Sequence, residues 1–294
     1  MGSALFAEVV RQPECIVRRD EHALLSAHAE AITEALFPDA AVTPYVIDLG
    51  VGSTLGAQEA QALLHAVGER HGQCVYMPVD VSSAALTAAE ARLADEEANV
   101  IVRPFVMTNE EAVSRLEKLE SPKLVMMLGS AIGHYAHEDA IAFLTSVRRG
   151  LAFGDALLLS TDMVRDEIDA MIAACDDAQG ACAAFNKNVL LRMNREMGGS
   201  FDPLFFRHVA KWNEETLSVD MHLESLITQT VTICGDGFDF RRGETIHTQS
   251  NVKYEVARLD VMLRKAGLRR ECSLITPDDC CALHVVRPAM LRAA

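Results

Sequence analysis

Short apolar runs alternate with helical stretches through the first half of this chain, and that alternation constrains the fold more than any other feature. Leu24, Leu25, Ala29, Ile32, Ala35 and Leu36 recur at helical spacing and predict a helix over 20–37. Pro38 and Pro44 break the chain before a short strand, Tyr45-Val46-Ile47-Asp48-Leu49. The turn Gly50-Val51-Gly52-Ser53 leads into a helix from about Ala57 to Arg70. The run 74–79 is the next strand and ends at Asp80, after which Ser82 or Ser83 can cap an Ala-rich helix reaching about Ala98. Further strands are expected at 100–106, 123–128 and 155–160, with a helix over 136–149. Strands separated by helices of roughly 10–15 residues imply βαβ units and a parallel sheet.

The pattern changes past residue 165. Residues 166–198 are almost all helix formers. Residues 216–253 alternate, with turn signals at Cys234-Gly235-Asp236-Gly237 and Arg242-Gly243 that indicate antiparallel hairpins. A helix over 256–266 and strands near 271–276 and 281–286 close the chain. The expected architecture is α/β, a Rossmann-like sheet with an inserted helix-plus-hairpin domain. It divides into an N-terminal helical segment (1–38) contributing to a substrate lid, a ligand-binding sheet domain (39–165), the inserted substrate domain (166–254) and a return to the sheet (255–294).

Half of the 294 residues are apolar, ample for a core of this kind. The formal charge of −15 disfavours nucleic acid and anionic membrane surfaces as partners and favours a small cationic ligand. No apolar stretch approaches the roughly 20 residues needed to span a bilayer. The first residues lack a basic segment followed by an apolar one, so a cytosolic location is expected. The eight cysteines form no C-x-x-C pair, and the histidines show no metal-ligand spacing. Reduced thiols and no metal are the expectation.

Two positions carry the ligand chemistry. Gly50 and Gly52 end the first strand, where glycine lets backbone approach a ligand and the following helix offers its free N–H groups. Such a loop can face a dinucleotide pyrophosphate or the ribose and tail of S-adenosylmethionine (SAM). Gly56 follows at G-x-G-x-x-x-G spacing, one residue longer than the dinucleotide fingerprint. Asp80 ends the neighbouring strand, where a carboxylate can accept two ribose hydroxyls. A NAD-dependent dehydrogenase would use the same two positions.

The chain resembles, over nearly its whole length, the histidine Nα-methyltransferase family of ergothioneine biosynthesis. The resemblance rests on Gly2-Ser3-x-Leu5-Phe6 with Pro13-Glu14, on Asp48-Leu49-Gly50-x-Gly52-Ser53, and on Pro78-Val79-Asp80-Val81-Ser82. It continues through Leu128-Gly129-Ser130-x-Ile132-Gly133, Thr161-Asp162 and Asp176-Asp177-Ala178-x-Gly180. Ala184-Phe185-Asn186-x-Asn188-Val189-Leu190, Asn194-Arg195-Glu196, His208-Val209-Ala210-x-Trp212-Asn213 and Met221 complete it. It implies a class I SAM methyltransferase fold, with SAM as co-substrate held by Gly50, Gly52, Ser53, Asp80, Val81, Thr108, Asn109 and Gly129.

Departures from that family fall on the substrate pocket. His134 stands where the resemblance implies an asparagine that holds the substrate carboxylate, and Cys175 where a tyrosine shares that task. Gln249 and Asn251 replace a glutamate and a serine that grip an imidazole, and Met221 remains. On the cofactor side, Cys15-Ile16 replace a tyrosine pair, a lysine after the glycine loop is lost near Gly56, and Thr108-Asn109 replace the pair that receives the adenine. A site built on hydrogen bonds discriminates strongly, so histidine is not the expected acceptor.

The expected reaction is methyl transfer from SAM to the nitrogen of another small amino-acid-like acceptor, with His134 and Asp176 as candidate catalytic residues and Cys175, Met221, Gln249 and Asn251 as further pocket residues. His134 could take the amine's proton, or serve only as packing. An alternative is attack by SAM's own α-amine on the carbon γ to its carboxyl group, giving azetidine-2-carboxylate and methylthioadenosine. A non-catalytic SAM-binding protein is the further alternative. The oligomeric state is left open.

Overall fold

The computed structural model describes residues 2–52, 54–120 and 122–289. Two helices, α1 (Gly2–Val10) and α2 (Ile16–Leu36), precede β1 (Tyr45–Leu49) and α3 (Thr54–His71). On α3 the buried positions Ala60, Leu63, Leu64 and Val67 recur at three- and four-residue spacing and turn one face to the sheet. Each such leucine contributes about 2 kcal/mol by burial. β2 (Cys74–Asp80) follows, then α4 (Ser83–Glu96), capped by Ser82, whose hydroxyl accepts the Ala85 amide at 3.3 Å.

The third expected strand is two short ones, β3 (Val100–Val102) and β4 (Phe105–Val106), both parallel to β2. Pro104 lies between them and has no N–H to give the ladder. Next come α5 (Asn109–Val113), β5 (Lys123–Met127), α6 (His137–Gly150) and β6 (Ala156–Asp162). Every residue of β5 and β6 is buried, as in parallel strands covered on both faces.

The helix-forming stretch expected over 166–198 is interrupted. A short α7 (Ile168–Ala173) and a long α8 (Ala181–Met197) flank the turn that contains Asp176, Asp177 and Gly180. Gly180 adopts φ +78°, and the Asp177 carboxylate accepts the amides of Ala181 and Cys182 at 2.9 and 2.6 Å. That is turn and cap chemistry, which ends one helix and starts the next. Antiparallel strands follow: β7 (Phe206–Asn213), β8 (Ser218–Ser225), β9 (Gln229–Ile233), β10 (Asp236–Phe240) and β11 (Thr245–Val252). They pair as a three-stranded sheet β11-β8-β7 and a hairpin β10-β9. β7 begins ahead of the region where alternation is read in the sequence.

The chain closes with α9 (Val256–Lys265), β12 (Leu268–Ile275) and β13 (Cys281–Pro288). The main sheet has the order β12-β13-β6-β5-β1-β2-β3, with β4 also beside β2. β1, β2, β3, β5 and β6 are parallel, whereas β13 runs antiparallel to both β6 and β12. A late antiparallel strand, β13, slotted between β12 and the parallel strand β6 is the class I methyltransferase sheet, as the sequence implied. The order reverses between β1 and β5, and this switch point is where open α/β sheets bind ligands.

The chain forms two compact units. The larger comprises Val17–Val164 and the chain from Lys253 onward; the smaller comprises the chain up to Ile16 and Arg165–Val252. The expected segment 1–38 is therefore divided at the start of α2. Phe6 of α1 packs on Phe185 of α8, ring centroids 5.6 Å apart, whereas Leu24, Leu25, Ile32 and Leu36 of α2 belong to the core of the main sheet. In the smaller unit, Leu190, Phe201, Phe206, Leu223 and Val231 form a core of their own. Among the described residues no helix is long and apolar enough to cross a membrane.

Candidate active site

The carboxyl ends of β1 and β2 lie side by side because the two strands pair in parallel through Leu49 and Val79. Gly50 and Val51 donate their amides to the Val79 carbonyl at 2.9 and 3.2 Å, which bends the loop across the strand end. Gly50 and Gly52 both adopt the left-handed region, φ +75° and +73°, where a side chain would be strained. Asp80 then ties the two strand ends together. Its Oδ2 accepts the Gly52 amide and its Oδ1 the Ser82 amide, each at 2.7 Å. Each oxygen keeps a lone pair, so a carboxylate fixed in this way suits a vicinal diol. Behind the loop, the Tyr76 hydroxyl donates to buried Asp48 at 2.8 Å.

Asn109 closes this end of the site. A Cβ on Gly50 would lie 3.4 Å from Asn109 Nδ2, so the amide rests directly on the glycine loop. Its neighbour Thr108 has a different task. The Thr108 hydroxyl accepts the Glu111 amide at 3.2 Å and Glu111 returns the bond to the Thr108 amide at 2.9 Å. This is a capping box on α5, and it leaves Asn109 as the member of the pair turned to the loop. The Val81 side chain is exposed. Ser53, also expected to contact SAM, lies outside the described residues.

The end of β5 carries the second half of the larger unit's site. Gly129 has φ +66° and Ser130 φ +55°. Glu21, fully buried on α2, accepts the Gly129 amide at 2.7 Å. The Ser130 hydroxyl accepts the Asp162 amide at 2.5 Å, and the Ser130 amide donates to Ser160 Oγ at 2.8 Å. Asp162 is ion-paired with Lys253, both buried, and the Tyr254 hydroxyl donates to the Ile132 carbonyl at 3.2 Å. The turn bearing His134 is thus fastened from β6 and from the segment that re-enters at Lys253.

His134 closes a 3-10 turn, Ala131–His134. Its surface is open to solvent, yet surrounding protein, helped by the charges of Arg18 and Lys253, pushes its imidazole down to about 4. Desolvation is the larger cause, and the two cations act in the same direction. His134 is thus a neutral imidazole at neutral pH.

In the smaller unit, register places the remaining expected residues on one face of its sheet. Gln249 and Ala210 pair with Met221, and Asn251 and Trp212 with Val219. Since side chains alternate between faces, Met221, Gln249, Asn251, Ala210 and Trp212 share one side. Met171 and Cys175 pack there against Val219. Cys175 is buried, and Asn251 Nδ2 lies 3.7 Å from its sulfur. Asn251 Oδ1 is buried and has no hydrogen-bond partner among the described residues. His208 is held between Asn186 (2.8 Å to Nδ1) and the Cys175 carbonyl (2.8 Å from Nε2). Its Nε2 is 3.8 Å from Asp176, whose carboxylate is half-exposed.

Sequence reading missed Arg18, Glu21, Asp162 and Lys253 as parts of the larger unit's site. Charged residues within apolar strand ends and within a helix's buried face were the available signal. Among the described residues one group of metal-ligand type gathers, Asp20, Asp278 and Cys280, with ligand atoms within 4.8 Å of one another. Asp20 and Cys280 also engage other groups.

Comparison with known proteins follows this geometry. The family described as histidine-specific methyltransferase, SAM-dependent, matches residues 1–288. A histidine N-alpha-methyltransferase from Mycolicibacterium smegmatis is 32% identical over 272 residues, covering 92% of this chain and 82% of that protein. An N-methyltransferase from Aspergillus flavus is 22% identical over 277 residues, covering 91% and 73%. A solved SAM-dependent methyltransferase from Clostridium acetobutylicum aligns with a TM-score of 0.46 at 10% identity, covering 89% of this chain and 91% of its own. The fold assignment rests on the strand order and not on that last likeness.

Proposed function

The chain belongs to the family of histidine-specific, SAM-dependent methyltransferases, and we propose that it methylates the nitrogen of a small amino-acid-like acceptor other than histidine. The observation that carries this reading is the face bearing Met221, Gln249 and Asn251. Neutral amides occupy the two positions where the family resemblance implies a carboxylate and a hydroxyl on an imidazole. Asn251 Oδ1, buried and without a partner among the described residues, favours an acceptor that brings an N–H donor. Leaving such an oxygen unsatisfied costs about 1–3 kcal/mol. The half-exposed Asp176 carboxylate adds a preference for an amine-bearing molecule. The Aspergillus N-methyltransferase supports nitrogen as the methylated atom.

SAM would be held through its ribose by Asp80, with Gly50, Gly52 and Asn109 against the adenosine and the Gly129 turn beyond it. In the transfer, the acceptor's neutral nitrogen forms a bond to the methyl carbon while the carbon–sulfur bond breaks, giving S-adenosylhomocysteine. The new ammonium then loses its proton to water. The protein's contribution is alignment in a dry site, and His134 serves by orienting a neighbouring group in its neutral form.

A second reading, cyclisation of SAM by its own α-amine, is favoured by one observation. At Cys175, where the resemblance implies a phenol gripping the acceptor, the protein offers a buried sulfur covered by Asn251. In that reaction nitrogen bonds to the γ-carbon, the carbon–sulfur bond on that arm breaks, and methylthioadenosine leaves. The test is incubation of the protein with SAM, alone and with a panel of amino acids and amines, followed by mass spectrometry of the adenosyl product. S-adenosylhomocysteine formed only when an acceptor is present supports methyl transfer. Methylthioadenosine from SAM alone replaces it with cyclisation.

A further inference from the structure

On the cofactor side the resemblance gives two changed contacts, a tyrosine pair that is Cys15-Ile16 here and a lysine that is lost near Gly56. The larger unit carries a cation at the end of β5, beside Gly129. Arg18 lies on α2, and a Cβ built on Gly129 would fall 2.4 Å from its Nη2, 2.6 Å from Cζ and 3.0 Å from Nε. The guanidinium therefore lies against Gly129, in the space that a side chain there would need. Glu21, three residues along the same helix, accepts the Gly129 amide at 2.7 Å while fully buried. That bond fixes the height and rotation of α2 over the turn, so Arg18 is delivered to the carboxyl end of β5 by a rigid element.

The direction of the ligand follows from the strand order. Asp80 ends β2, on one side of β1, and Gly129 follows β5, on the other side. A SAM molecule whose ribose is held at Asp80 and which crosses the glycine loop at the end of β1 places its amino-acid tail toward β5. The tail carries a carboxylate, and the planar guanidinium presents paired N–H donors suited to it. Arg18 also adds to the positive field at His134, so its charge reaches the site and is not confined to the outer surface.

We propose that Arg18, seated on Gly129 and positioned by Glu21, binds the carboxylate of the SAM methionine tail. This rests on the SAM-dependent reading above and specifies how the cofactor's tail is recognised. Carboxylates also occur on amino-acid acceptors, so the assignment is tested with ligands that differ only in the tail.

Titration calorimetry of the whole protein with S-adenosylhomocysteine and with methylthioadenosine, which lacks the amino-acid tail, makes that separation. Arg18→Gln is expected to weaken S-adenosylhomocysteine about 10- to 100-fold, the range for losing a charged hydrogen-bonded pair, and to leave methylthioadenosine within about twofold. Arg18→Lys should fall between the two. Gly129→Ala, whose new methyl would displace the guanidinium, should show the same tail-dependent loss. Equal losses for both ligands, or no loss for either, in a variant with unchanged circular dichroism would overturn the assignment to the tail. If the unaltered protein binds neither ligand, the SAM-dependent reading itself fails, an outcome distinct from failure of Arg18 alone.

Discussion

Asp80 receives two backbone amides, one from the loop after β1 and one from the start of α4, so its carboxylate is preset before any ligand arrives. Two charge-assisted bonds to a diol are each worth about 1.5–3 kcal/mol. Asp80→Ala should accordingly reduce S-adenosylhomocysteine affinity by about 100-fold or more, read by calorimetry; retained affinity would remove Asp80 from the site. His134→Ala is expected to lower turnover by about tenfold with SAM affinity unchanged, the pattern of an interaction made at or near the transition state. Because the imidazole is pushed down to about 4, it stays neutral from there upward. The rate profile of the unaltered enzyme should therefore show no histidine titration near pH 6.5. A break at that pH which disappears in the variant would show that His134 titrates as an ordinary base. At this scale Asp80 and the glycines were legible because strand-end position and residue type jointly declare them. Arg18 and Glu21 were not, since a helix sequence does not reveal which turn it will cover.

Thr108 illustrates what sequence can and cannot tell at the scale of an element. The resemblance implies a place for it at the adenine, yet the same hydroxyl is the N-cap of α5 with Glu111 as its reciprocal partner. Thr108→Ala should cost about 1 kcal/mol of stability in chemical denaturation while shifting S-adenosylhomocysteine affinity less than about twofold. A large affinity loss without a stability change would return Thr108 to ligand binding. The break between α7 and α8 is a similar case. Asp177 sits where partial burial alone would raise its pKa, but the amides of Cys182 and Ala181 outweigh that and hold the carboxyl below its usual range. Asp176-Asp177-Ala178-Gln179-Gly180 carries ordinary turn residues, and helix-forming neighbours on both sides hid them. The face shared by Met221, Gln249 and Asn251 was half-legible. Alternation announced the strands, but the register shift between His247 and Gln249 decides which face these residues occupy, and no sequence periodicity marks it.

On the scale of the whole molecule, alternating strands and helices specified the parallel sheet, and the return of the chain after residue 253 supplied its two last strands. The division of the N-terminal segment was not legible, because α1 and α2 have comparable helical signals and differ only in the core each joins. One stability prediction belongs here. His284 is fully buried in β13 between the Thr161 and Ser273 hydroxyls, and burial, with the charge of Arg270, pushes it down to about 4. A histidine held below its unfolded value favours the folded state above about pH 6.5, and that stability is lost as pH falls toward 4. The full effect is on the order of 3 kcal/mol. His284→Gln should flatten the fall in denaturation midpoint over this window, and an unchanged slope would show that other groups govern it. The central claim, a SAM-dependent N-methyltransferase whose acceptor is not histidine, is tested most directly by presenting histidine itself. The protein is incubated with SAM and histidine beside SAM and each amine of the panel, and S-adenosylhomocysteine is quantified. The account predicts no product from histidine above the SAM-only background and turnover with another small amine. Histidine consumed in step with S-adenosylhomocysteine, at a rate matching or exceeding every other acceptor, would contradict it.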